Sequence, residues 1–117
     1  MAKYLVLIYG NEQRWDNRTD QEWEVNHEGH RAFRESAGSA VLGGHQLENS
    51  ATATSLRAGS GTPTITDGPF LETKEALGGF YVVEANDLDE VIRWSSLLRE
   101  TKEDHSGIEV RPILERS

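Results

Sequence analysis

The stretch Lys3-Tyr4-Leu5-Val6-Leu7-Ile8-Tyr9 constrains this chain more than any other. Read as a strand, it is apolar on both faces: Leu5, Leu7 and Tyr9 alternate with Tyr4, Val6 and Ile8. Such a strand needs both of its faces covered. It is too short to cross a membrane, and no small-residue cleavage site follows it. It is therefore predicted to open a sheet, and the rest of the chain must supply the cover.

A polar loop over residues 10–19 is expected next. Thr19 or Asp20 then caps a helix over residues 20–37, ended by Gly38, with Glu22 at the capping-box spacing from Thr19. Trp23, His27, His30, Phe33 and Ala37 fall on one side of that helix, a thin stripe for a core face. Residues 39–47 read as a second strand, with Gly43-Gly44 marking a bulge or a close backbone approach. Residues 52–57 and 62–66 are Thr-rich runs joined by Ala58-Gly59-Ser60-Gly61, the pattern of a hairpin. Residues 78–85 form a further strand. Asp87 with Glu90 opens a second helix whose stripe is Leu88, Val91, Ile92, Ser95 and Leu98, widened by Trp94 and Leu97. Residues 100–106 are predicted as a charged loop. Residues 108–114 read as the last strand, with Pro112 pointing to an edge or a strand end.

The order β-α-β-(β-hairpin)-β-α-β is that of an α+β, ferredoxin-like split βαβ with an inserted β-hairpin, formed as a single domain over residues 1–117. Two helices cover only one face of its sheet. The simplest cover for the other is the same face of a second copy, so a homodimer closing into a dimeric α+β barrel is expected. The chain has no cysteine, which excludes disulfides, thiolate metal sites and a cysteine nucleophile and is compatible with the expected cytoplasmic location. Twelve basic against 20 acidic residues give a net charge of −8, which argues against nucleic acid or an anionic membrane as partner.

The turn after the hairpin carries the densest chemistry. Gly68-Pro69 fixes a reversal, and Asp67, Glu72, Lys74 and Glu75 crowd around it. Asp67-Gly68-Pro69-Phe70-Leu71-Glu72-Thr73-Lys74-Glu75, with Leu77-Gly78-Gly79-Phe80-Tyr81, resembles the signature of DGPF-type proteins of the YCII-related family. Residues 3–10, 50–54, 87–90 and 108–112 extend the likeness over nearly the whole chain. The resemblance implies a dimeric α+β barrel from bacteria and, for most members, no assigned reaction. Some members are encoded near, or fused to, extracytoplasmic-function sigma factors. More distant relatives include a dehydrochlorinase acting on a chlorinated hydroquinone, in which a His–Asp pair is the proposed acid/base site.

Two readings of function stand side by side. One is a dimer that binds a small polar or aromatic ligand and does acid/base chemistry of the isomerase or lyase kind. His30 and Asp67 are then its candidate catalytic pair. His45, Arg57, Glu72 and Lys74 are its candidate ligand-binding residues, with Lys74 or Arg57 holding an anionic or phenolic group. The other is a non-catalytic regulatory protein, which predicts an exposed patch at Trp15, Phe70 and Leu71 and no enclosed cavity. Each residue also has a structural reading. His30 suits a core histidine bonded to backbone or partner, and Asp67 an Asx-turn across Gly68-Pro69. His27 and His105 read as solvated. His27 and His30, with His45 or Asp67, have ligand types that bind metal, but nothing in the sequence fixes a third ligand; no cofactor is expected.

Overall fold

The computed structural model describes residues 1–116. Its elements are β1 (Ala2–Gly10), α1 (Glu12–Asp16), α2 (Asp20–Ala37), β2 (Val41–Gln46), β3 (Thr54–Arg57), β4 (Thr64–Asp67), β5 (Ala76–Ala85), α3 (Leu88–Ser95) and β6 (Ser106–Pro112). Four strands form an antiparallel sheet in the order β2-β5-β1-β6, while β3 and β4 pair as a separate hairpin. This is the ferredoxin-like arrangement with the hairpin inserted between β2 and β5. Pro112 ends β6, the edge strand, where a missing N–H costs no ladder bond.

Alternation in the two central strands sets the layers. Tyr4, Val6, Val83 and Ala85 pack with Phe33 of α2, Val91 of α3 and Leu98. Leu5 and Leu7, paired with Val82 and Phe80, alternate to the opposite face. The molecule measures 48 × 46 × 20 Å, a sheet with one layer of helices.

Local chemistry explains the helix starts. Thr19 and Glu22 form a complete capping box, each side chain bonding the other's backbone N–H. The Asp87 carboxylate accepts from the Glu90 N–H, and Glu90 reaches back to the N–H of Asn86.

The sequence departs from the structure in three places. Residues 12–16, expected as loop, form the short α1, capped by the Asn11 side chain. The second long helix stops at Ser95, so Leu88, Ile92 and Leu97 remain exposed while Val91, Ser95 and Leu98 are buried. The expected charged loop winds into a 3₁₀ turn at Arg99–Lys102 that buries Glu100.

Both glycine pairs sit at bulges. The register slips between Val41 and Gly43 in β2, and at Gly78, which lies between the pairs Ile8↔Gly79 and Tyr9↔Leu77. A Cβ on Gly78 would sit 2.4 Å from the Trp15 ring, and one on Gly10 would sit 2.1 Å from it. These two positions lack side chains because the indole of α1 lies directly on the sheet backbone.

Candidate functional site

That indole forms one wall of a cavity of about 550 Å³ between α2, the β2–β5 end of the sheet and the 3₁₀ turn. The size lies within the roughly 300–1,000 Å³ of small-molecule pockets.

A buried side-chain network defines its base. Asn26 of α2 donates to Glu100 Oε2 at 2.8 Å. One turn further along, His30 Nε2 lies 3.2 Å from both Glu100 oxygens, and Nδ1 lies 2.7 Å from the Tyr81 hydroxyl. Tyr81 comes from β5 and rests on Phe33 with ring centroids 4.5 Å apart. Arg34 Nη1 approaches the same hydroxyl at 3.4 Å from the exposed side.

The titration behaviour orients these bonds. Burial pushes the Glu100 carboxyl up, but the hydrogen bond and charge of His30, the Asn26 amide and its own backbone N–H outweigh that and hold it below the usual carboxylate range. An ionised carboxylate only accepts, so His30 Nε2 carries the proton and donates. In the neutral ring Nδ1 is then the acceptor, and the Tyr81 O–H donates to it. Burial pushes the Tyr81 phenol up; Arg34 offsets part of this and Glu100 adds to it. Tyr81 is therefore protonated at neutral pH; its proton is aimed at Nδ1 of the neutral ring, whereas the charged ring donates from Nδ1 to the Tyr81 oxygen.

A second charged group stands beside the first. Arg18 donates to both oxygens of Glu103, at 2.7 and 2.9 Å, and its guanidinium lies over the Trp23 ring at 4.8 Å and the Trp15 ring at 5.7 Å. Trp15 Nε1 donates to Ser106, whose hydroxyl lies 3.1 Å from His105 Nδ1. His105, expected to be solvated, is thus tied into this wall.

The sequence candidates separate into two groups. His30 and His45 line the cavity, and the exposed His45 also meets the Phe80 ring edge-on. Asp67, Arg57, Glu72 and Lys74 do not line it. Asp67 sits on the exposed hairpin opposite Thr54, while the carboxylate beside His30 is Glu100. Arg57 lies 3.9 Å over the Phe70 ring. The Asx-turn reading of Asp67 gives way to a backbone solution: Gly68 takes a φ of +106° and its N–H bonds the Ala53 carbonyl, while the Asp67 carboxylate accepts no hydrogen bond among the described residues. Among the described residues no three metal-ligating side chains converge.

Glu100, Asn26 and Tyr81 are the site residues that the sequence reading did not name. A signal existed for Tyr81: it shares strand parity with Val83, so its hydroxyl enters the helix-covered layer and needs a partner. Glu100 had none, because its burial depends on a 3₁₀ turn within a charged run.

No helix among the described residues is long and apolar enough to cross a membrane. The chain is 32% identical over 114 residues to an uncharacterised protein of Rhizobium meliloti (strain 1021), an alignment covering 94% of this chain and 90% of that protein. The profile of the YCII-related domain matches residues 2–117, and the chain belongs to the YCII-related family.

Proposed function

We propose that the cavity binds a small polar or aromatic molecule and moves a proton on it, in the manner of an isomerase or lyase. One observation carries this reading: His30 bridges an ionised, buried Glu100 and the hydroxyl of Tyr81 at the cavity wall. As the Tyr81 oxygen takes a proton from an acidic C–H of the ligand, its own phenolic proton passes to His30 Nδ1. The resulting imidazolium is stabilised by Glu100. Return of a proton from the relay to a different carbon completes an isomerisation; loss of a leaving group from the carbanion completes an elimination. In this reading Glu100 takes the orienting place expected for Asp67.

The test is deuterium wash-in. Phenylacetone and phenylpyruvate are incubated with the protein in D2O, and their acidic C–H signals are followed by NMR. Loss of signal above the buffer rate, abolished in Tyr81→Phe and His30→Gln, is expected. Wild-type rates equal to buffer for both compounds would sink the reading.

We further propose that a second copy covers the sheet face opposite the helices, at the half-buried Leu5, Phe80 and Val82, closing the dimeric barrel. A non-catalytic regulatory role, with a sigma factor or another protein as partner, draws support from Phe70 and Leu71, 56% and 64% exposed beyond the hairpin. It predicts that Phe70→Ser with Leu71→Ser abolishes partner capture and leaves ligand binding intact. The cavity, and the seating of the half-buried Trp15 in its wall, favour the first reading.

A further inference from the structure

The charge in the cavity runs opposite to the charge of the protein. The chain carries a net −8, yet the charged residues lining the cavity are Arg18, Arg31, Arg34 and Glu100. Glu100 is the only carboxylate among them, and it is turned toward His30 and Asn26. The lining thus holds three cations to one carboxylate, the reverse of the balance over the whole chain, and what matters is which of the three lacks a partner.

The three arginines are not equivalent. Arg18 is neutralised by Glu103, both of whose oxygens accept from Nη2, and its guanidinium lies over the Trp23 and Trp15 rings, its side chain 4% exposed. Arg31 pairs with Glu28 one turn back on the same helix. Arg34 pairs with no carboxylate among the described residues. Its hydrogen bond within the site is the long approach to the Tyr81 hydroxyl. Arg34 is thus the lining arginine without a carboxylate partner among the described residues, and it stands next to the atom assigned to proton transfer; Arg18 keeps its Nε unpartnered, but buried beside Glu103.

We propose that the ligand is a small planar carboxylate. Its carboxylate pairs with Arg34 in the two-pronged geometry that guanidinium and carboxylate share. That anchor sets the neighbouring carbon beside the Tyr81 oxygen, and the flat remainder faces the Trp15 and Trp23 side of the cavity. The assignment rests on the proton-transfer reading of the same site. Arg34 is a binding and positioning residue; the proton moves on Tyr81 and His30.

Calorimetric titration with benzoate and with its neutral isostere benzamide tests this. Benzoate should bind at least about tenfold more tightly than benzamide, the scale of one charge-assisted pair. Arg34→Gln should lower benzoate affinity about tenfold or more, leave benzamide unchanged and keep the thermal midpoint, since Arg34 is exposed. Arg31→Gln should change benzoate affinity less than about threefold, because Glu28 already occupies that cation. Equal affinities for the two probes, no binding of either, or an Arg34→Gln protein that binds benzoate like wild type would each overturn the proposal. Failure of the underlying reading looks different: benzoate binds through Arg34, while phenylpyruvate exchanges no deuterium above buffer in any variant.

Discussion

A single ring nitrogen of His30 lies 3.2 Å from each oxygen of Glu100, so both lone-pair sets of a buried carboxylate converge on one donor. Asn26 satisfies the same group from the side. Removing Glu100 therefore strands an amide and an imidazole in the interior. Glu100→Ala should lower the unfolding free energy by about 2–4 kcal/mol, read from urea denaturation. An Asn26→Ala, Glu100→Ala double variant should cost less than the sum of the two singles, since each alone orphans its partner.

Acid should act through this carboxylate. Its folded-state pKa lies below the ordinary value of 4.5, so its stabilising contribution is complete above that value and lost as pH falls through the lower folded value. As pH falls below the ordinary value of 4.5, the wild-type protein should lose more stability than Glu100→Gln, which has no proton to take up there. Parallel acid limbs in urea midpoints would show that Glu100 does not titrate as described.

Tyr81→Phe separates packing from chemistry. The ring remains on Phe33 and only the hydroxyl is lost, so stability should fall by about 1 kcal/mol. Deuterium wash-in should fall to the buffer rate. Phe33→Ala is the contrasting change: it empties the centre of the core and should cost about 3–5 kcal/mol.

Gly78→Ala probes the Trp15 slot. The new methyl would sit 2.4 Å from the indole, so the ring must shift, at about 1–3 kcal/mol. Tryptophan fluorescence should change with it. Gly43→Ala, with nothing within 4 Å of the added Cβ, should leave the fluorescence unchanged.

The sheet-face proposal is read by mass. Sedimentation at micromolar concentration should give twice the 13.1 kDa of one chain, and Val82→Glu should give the single mass with its circular dichroism retained. A wild-type protein that sediments as one chain would remove the dimer.

Much of the fold was legible because it rests on local patterns. The two-faced apolar strand, the Thr19–Glu22 and Asp87–Glu90 spacings and the Gly-bounded Thr-rich hairpin each follow from the residues present within a few positions. His30 was also visible, since it shares a helix face with Phe33. Its partners were not. Pairing His30 with Asp67 relied on a carboxylate made conspicuous by its turn, but that turn belongs to a hairpin of its own sheet. Glu100 looked solvated among Arg99, Thr101 and Lys102. Its burial is a product of tertiary packing: Gly29 lets α2 approach the backbone of Leu97 and Arg99 closely enough to bring the turn under the helix. No short-range pattern reports such an approach.

The buried network also ties the proposed proton relay to the completeness of folding. Asn26 and Glu100 are 74 positions apart, His30 and Glu100 are 70 apart, and His30 and Tyr81 are 51 apart. No autonomous fragment of the chain holds two of these contacts without closing a long loop. A partly folded species with intact α2 and β5 but an undocked 3₁₀ turn would keep most of its secondary structure and lack the relay. Proton transfer should therefore vanish at lower denaturant than helical circular dichroism wherever that turn opens first.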